Sequence, residues 1–316
     1  GAREAAAQAR LRVARAELEA LERRMTAEVT TAYAAARSAD RLVALADTAL
    51  LHLSRGLRIL ERRQEAGDAS GYEVRRLRLE VTRAEGTAAE SRARRDAATA
   101  ALTALVGLPP DVRPTLTDDL RAAPLPTVDQ SLADLVSRHD SASVVAAVEA
   151  EAAEAEARLA RRNRIPVPSI GIGFKEERAG TADRLTGYIA QVSLPLPVWG
   201  GRGAVARAEE AVAARGTARI EDAIRAGWRD ALAMLADATA MTSRLAGLSA
   251  WVRDDGVSAR TAADAAFAEG EMSLLAWLDA QAAFFDAARE EAMLQAGLIA
   301  RAAALARVSG LPLVTR

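Results

Sequence analysis

Apolar residues near the start of the chain fall three and four positions apart, at Leu11, Ala14, Leu18, Leu21, Met25 and Val29. That spacing is the seam of a coiled coil or helical bundle. Residues 2–64 hold no proline and one glycine, Gly56, so a single helix of about 95 Å is predicted. The run Glu65 to Gly71 breaks it. A second helix is predicted from about Tyr72 to Val106, with Leu77, Val81, Ala84, Leu102 and Leu105 on its stripe. Gly107-Leu108-Pro109-Pro110 stops it with glycine and then proline. Pro109, Pro110, Pro114, Pro124 and Pro126 mark the following stretch as an extended linker. A third helix begins near Asp129 or Ser131, where Ser131-Leu132-Ala133-Asp134 reads as a capping box. It runs through Val144, Val145 and the Glu/Ala-rich residues 149–160 until Pro166.

The period then changes from helical to alternating. Ile170, Ile172 and Phe174 alternate with Gly171 and Gly173, and Tyr188, Ala190, Val192 and Leu194 share a face opposite Gln191 and Ser193. Each segment is about ten residues, the length of a tilted strand crossing a bilayer. Two strands do not stand alone, so these are expected to pair with others, from this chain or from copies of it. From Ala204 the helical pattern resumes, carried by Val205, Ala208, Val212, Ile224, Trp228, Leu232 and Leu235 among others. Glu269 to Ser273 breaks it, and a last helix reaches about Val308 before Gly310-Leu311-Pro312.

The two ends of the chain match. Gly67, Ser70, Gly107, Leu108 and Pro109 recur as Gly270, Ser273, Gly310, Leu311 and Pro312 at one offset of 203 residues. Glycine, serine and proline at helix breaks are informative where alanine matches are not. The chain therefore reads as an internal duplication: 1–109 and 201–316 as two helical-hairpin repeats, 110–128 as linker, 129–165 as helix and 166–200 as a β-hairpin. Only the second repeat is preceded by a helix and two strands. A complete duplication would place an equivalent segment, with any export signal, before Gly1.

Composition narrows the function. Half of the 316 residues are hydrophobic but only 3% are aromatic, which suits narrow packed helices better than an enzyme core. The 42 basic and 43 acidic residues nearly cancel, against a nucleic-acid binder. Cysteine is absent and the histidines are His52 and His139, which leaves little for thiol, zinc or histidine catalysis. No run of about 18 apolar residues marks a transmembrane helix. Glu149, Glu151, Glu154 and Glu156 read as a solvated helix face paired with Arg158, Arg161 and Arg162. His52 reads as a helix-surface or groove residue, and His139 as an ordinary residue near a helix start. Gly171-x-Gly173 lies in a strand and lacks the third glycine of a dinucleotide fingerprint. No enzyme activity, cofactor or metal is expected.

The stretch from Arg161 to Gly203 carries the most specific signal. A helix ends at Ile165-Pro166, a glycine-alternating strand follows, and the second strand leads into Val192-Ser193-Leu194-Pro195-Leu196-Pro197-Val198-Trp199-Gly200-Gly201-Arg202-Gly203. In this the chain resembles the outer-membrane efflux protein family, the TolC-like exit ducts of tripartite pumps. The family's Arg-Pro-Asp segment is similar to Arg138-His139-Asp140, with histidine in place of proline. Gly270-Glu271-Met272-Ser273-Leu274-Leu275, followed by Leu278-Asp279-Ala280-Gln281, is similar to the heavy-metal-efflux branch.

The resemblance implies a mainly helical fold: an α-barrel of long antiparallel hairpins, with this β-hairpin joining a trimeric transmembrane barrel. It implies an outer-membrane location in a Gram-negative bacterium, with the helical part in the periplasm. It implies a homotrimer, a periplasmic membrane-fusion adaptor, a proton-driven inner-membrane pump and outer-membrane lipid as partners. The cargo would be drugs, metal ions or other small molecules. Gly67, Asp68, Ser70, Gly270, Glu271 and Ser273 would be adaptor-contacting tips. Ile170, Ile172, Phe174, Tyr188, Ala190, Val192 and Leu194 would face lipid. Trp199, Gly200, Gly201 and Arg202 would form the strand-to-helix junction, Trp199 serving in an aromatic girdle or in packing below the barrel. A coiled-coil scaffold, with the hairpin as dimerisation flap, explains the helices but not the repeated breaks. An adaptor would carry more strands.

Overall fold

The computed structural model describes the chain except residues 110, 118–119, 164–167, 180–182, 194–200 and 316; at 177–179, 183–185 and 202 it describes the backbone alone. Helix α1 runs Ala2–Glu65, unbroken for 64 residues, and α2 Gly71–Leu105. Shorter helices α3 (Gln130–His139) and α4 (Ser141–Arg162) follow. Helices α5 (Gly201–Ala214), α6 (Gly216–Trp251), α7 (Val257–Glu269) and α8 (Leu274–Ser309) complete the helical part. Strands β2 (Ser169–Ala179) and β3 (Asp183–Ser193) form an antiparallel pair. The two-residue strands β1 (Arg121–Ala122) and β4 (Val314–Thr315) form another.

The residues group into two compact units, 1–20 with 141–226 and 21–140 with 227–316. In the first unit, α1 meets α4 through Ala6, Ala9, Ala152 and Ala155, with Val13 and Leu159 alongside. Side chains this small bring helix axes close, and charge pairs close the edges. Arg12 reaches Glu151 at 3.3 Å, and Arg161 reaches Glu210 at 2.9 Å. Arg10 pairs with Glu156. Of the expected pairs within α4, Arg158 with Glu154 forms, while Glu151, Glu156 and Arg161 pair across helices instead. Gly216 opens α6 where a Cβ would lie 2.7 Å from Ala150 Cβ.

In the second unit, Leu132 and Val136 of α3 pack with Ala231 and Leu235 of α6 and with Ala302, Leu305 and Val308 of α8. The linker is tied down here: Ala123 N–H donates to Leu313 O at 2.9 Å, and Leu125 packs on this core. The pairing of β1 with β4 adds strands outside the alternating region, because two residues are too few to show a period.

Three expectations need correction. The helix predicted from residue 129 to Pro166 is two helices; Asp140, with ψ 121°, ends α3, and the unit boundary falls there. Asp140 is buried against Gly227, where a Cβ would lie 3.0 Å from its Oδ2, so a tertiary contact overrides local helix preference. Its cap is Asp129, whose carboxylate accepts from Leu132 N–H at 3.0 Å, and not Ser131. The helical stripe from Ala204 to Glu269 is also interrupted, at Arg215 and at a π-helical turn Val252–Gly256. There Gly256 lies under the Trp251 ring, a place where a Cβ would be 2.9 Å from Cζ3; such bulges follow from insertion against the helix ladder.

Candidate functional site: two hairpin tips and a strand pair

The duplication is visible in backbone angles. Among the described residues, positive φ occurs at Gly67, Gly107, Gly270 and Gly310, with φ of 87°, 71°, 86° and 72°. These are the two glycine pairs related by 203 positions, and each pair agrees to within a degree. At the first tip, Gly67 N–H donates to Gln64 O and Asp68 N–H to Arg63 O. At the second, Gly270 N–H donates to Phe267 O and Glu271 N–H to Ala266 O. Both are the paired closing bonds of a left-handed helix end, which only glycine adopts without strain. Ser70 and Ser273 then cap the returning helices, accepting from Glu73 N–H and Ala276 N–H.

The two tips share one core. Leu60 of α1, Val74 and Leu77 of α2, Ala263 and Phe267 of α7, and Leu274 and Trp277 of α8 form a single buried cluster. Positions related by the repeat complement each other in size: Leu60 matches Ala263, and Val74 matches Trp277. The Trp277 ring stacks on Phe267 with centroids 4.5 Å apart. It is admitted by Gly56, where a Cβ would lie 2.4 Å from Trp277 Cη2. That explains the one glycine within α1.

Sequence reasoning missed a polar knot at this core. Asp264 Oδ1 accepts from Trp277 Nε1 at 2.9 Å and from Gln281 Nε2 at 2.7 Å. Its Oδ2 lies 3.1 Å from His52 Nδ1 and 3.4 Å from Arg260 Nη1. Arg260 Nη1 also reaches His52 Nε2 at 2.7 Å, and its guanidinium lies over the Phe284 ring. Burial, then Arg260, hold the His52 ring below its ordinary value of 6.5, against the pull of Asp264. Glu61 and Arg78, the repeat counterparts of Asp264 and Gln281, form an ion pair at 2.8 Å.

Glu73 folds back on Ser70, its Oε2 accepting from Ser70 N–H at 2.9 Å. With Ser70 Oγ accepting from Glu73 N–H this completes a capping box. The backbone bond to Ser70 holds the Glu73 carboxyl below its ordinary value.

The strand pair is placed by register. Ile170 faces Val192, Ile172 faces Ala190, and Phe174 faces Tyr188, so the predicted apolar residues stand opposite one another. Phe174 and Tyr188 meet edge to face at 5.8 Å. Gly171 pairs with Gln191 and Ser169 with Ser193 on the other face, where Ile189 is the apolar exception. Ile172 and Tyr188 are 83% and 88% exposed, and a contiguous exposed apolar face of this kind marks a surface that meets something other than water. Leu194, Trp199 and Gly200 lie outside the described residues, as does the side chain of Arg202; Gly201 opens α5. Among the described residues no helix is long and apolar enough to cross a membrane.

One open cleft of about 860 Å3 lies between α1 and α8, lined by Tyr33, Arg37, Arg41, Arg121, Gln295 and Ile299 among others. Arg41 is held there by Gln295 at 2.7 Å and by the buried Glu291 at 3.6 Å.

A model of the family described as outer membrane efflux protein matches residues 135–311. Among solved structures, the outer-membrane channel OprN is similar with a TM-score of 0.76 at 20% identity, over 96% of this chain and 70% of that one. VceC from Vibrio cholerae gives 0.75 at 19%, over 98% and 75%. CusC, described in terms of folding and transmembrane channel formation, gives 0.78 at 16%, over 98% and 74%. At these identities the likeness is one of fold. No curated protein sequence matches the chain.

Proposed function

We propose, from the premise that this chain belongs to the outer membrane efflux protein family, that its two hairpins and its strand pair build one protomer of a trimeric exit duct. Members are outer-membrane channels of Gram-negative bacteria with a periplasmic helical part, not enzymes, and this chain is an efflux channel of that kind. The finer assignments are our reading. Three protomers of four strands each share one barrel, and β2 and β3 are two of those four, with Ile170, Ile172, Phe174, Tyr188, Ala190 and Val192 toward lipid. The tips, Gly67, Asp68 and Ser70 with Gly270, Glu271 and Ser273, meet the helical hairpins of a periplasmic membrane-fusion adaptor, itself joined to a proton-driven inner-membrane pump. The cargo class is drugs, metal ions or other small molecules.

The observation that carries the reading is the exposed apolar face of the strand pair, with residues matched across it in register. In hydrocarbon every backbone donor and acceptor needs a partner, so strands with open edges must join others into a closed barrel. The test is extraction of the full-length protein from membranes, mass determination in detergent, and reconstitution into planar lipid bilayers. Trimer mass with stepwise conductance is expected. Soluble dimers in the absence of detergent, with no conductance, would overturn the duct and favour the coiled-coil scaffold.

A further inference from the structure

We propose that His52, Arg260 and Asp264 form an acid-released latch that ties α1 to α7 and α8 behind the second tip. The argument rests on which protonation state the geometry accepts. Oδ2 of Asp264, 3.1 Å from His52 Nδ1, is an acceptor and needs that nitrogen protonated. Arg260 Nη1 is a donor that lies 2.7 Å from His52 Nε2 and 3.2 Å from Nδ1, so the nitrogen nearer to it is the one to be left bare. A neutral ring with its proton on Nδ1 serves Asp264 and leaves Nε2, the nitrogen nearer to Arg260, as an acceptor. A charged ring satisfies only the first: both of its nitrogens then carry protons within 3.2 Å of a guanidinium nitrogen, so the Arg260 contact becomes one between two cations.

Among the described residues, two of the three charged groups that act on the ring favour that outcome. Arg55 on α1 and Arg260 on α7 repel a charged ring, Asp264 on α7 attracts it, and α8 presents the uncharged Phe285 and Gln281. Asp264 is already shared, since its Oδ1 holds Trp277 and Gln281 and its Oδ2 also faces Arg260. The knot has little reserve: Arg260 Nε and Gln281 Oε1 are buried without a partner among the described residues.

The sign follows from linkage. The folded ring resists protonation more than the unfolded one does, so its contribution is complete above the ordinary value of 6.5 and is lost as pH falls below it. Acidification therefore loosens α1 from α7 and α8 at the second tip. At the first tip the repeat-related positions hold Glu61 and Arg78, an ion pair at 2.8 Å with no histidine in it. The latch belongs to the helices themselves and stands whether or not the tips dock an adaptor.

The test is hydrogen exchange on the full chain in detergent at about pH 7.5 and about pH 5.5, corrected for intrinsic rates. Segment 257–281 is expected to lose protection by about fivefold on acidification while 61–78 holds. His52→Gln, which bonds both neighbours without titrating, should abolish that response. A wild type indifferent to pH, or a His52→Gln variant that responds as the wild type does, would overturn the latch. A second measurement guards against a variant that fails to assemble. With His139→Asn as the assignment control, the wild-type ring spectrum of His52 should show the Nδ1–H tautomer at neutral pH; an Nε2–H tautomer or a charged ring there would also sink it.

Discussion

The two hairpin tips have the same backbone and are held in opposite ways. Both turn on glycine at φ near 86°, both close with the same pair of hydrogen bonds, and both restart on a serine cap. The first is held at its surface: Glu73 completes a capping box and Glu61 pairs with Arg78 in the open. The second has Ala276 where Glu73 would stand and relies on its interior, where Trp277, Asp264 and Gln281 interlock with His52 from α1. The two tips share one backbone geometry, and their side chains make one a solvent-braced tip and the other a core-braced tip. Exposed charge pairs contribute little each, so the second tip has more to lose from one substitution.

Trp277 breaks the comparison hardest. Trp277→Ala removes the stacked ring and leaves Asp264 without its indole donor, at a cost of about 3–5 kcal/mol. Val74→Ala, at the repeat-related position, deletes two methyl groups and costs about 2 kcal/mol. Local stability from native-state hydrogen exchange over 264–281 and 61–78 measures the difference. Equal losses would mean that the polar knot adds nothing to the second tip.

The shared geometry of the tips was legible in the sequence, and their different support was not. Glycine and serine at a fixed offset announce a turn and a cap, because backbone demands at such places admit few residue types. The strand faces were legible because alternation decides which residues share a face; the register that sets Ile170 opposite Val192 and Phe174 opposite Tyr188 came from the structure. The knot joins His52 and Arg260, 208 positions apart. Nothing local distinguishes a histidine on a packed helix face from one on an open face until the helices are placed. The break at Asp140 is similar, since residues 129–162 carry ordinary helical residues and the contact that bends the chain is with Gly227. Gly56 stood out as the one glycine in α1, but its meaning required Trp277.

The turn glycines divide the tips by a smaller amount. Either Gly67→Ala or Gly270→Ala forces a side chain into the left-handed region, costing about 1–2 kcal/mol. Around Gly67 a Cβ meets nothing within 4 Å, so the penalty there is backbone strain alone. At Gly270 it would lie 3.2 Å from Arg63 Nη2, the side chain that bonds Phe267 O through Nη1 at 3.4 Å. Displacing that donor exposes a helix-end carbonyl, so Gly270→Ala should cost about 0.5–1 kcal/mol more than Gly67→Ala. Urea unfolding of the two variants, monitored by exchange at each tip, gives the ranking; the reverse order would remove Arg63 from the account.

The smallest effect is also the one that rebuilds the missing brace. Ala276 is exposed and stands three residues beyond the Ser273 cap, as Glu73 stands beyond Ser70. Ala276→Glu would supply the carboxylate that Ser273 N–H lacks, and should stabilise the second tip by about 0.5 kcal/mol. The new contribution would carry a signature of its own. A carboxyl that accepts a backbone N–H ionises more readily folded than unfolded, as Glu73 does. Its stabilisation is therefore present above the ordinary glutamate value of 4.5 and disappears as pH falls below it. The variant's second tip should then weaken in two separate acid steps, the histidine step first and the carboxylate step at lower pH. A gain that persists unchanged below the carboxylate step would come from helix propensity or charge at the helix start, and not from a transplanted box.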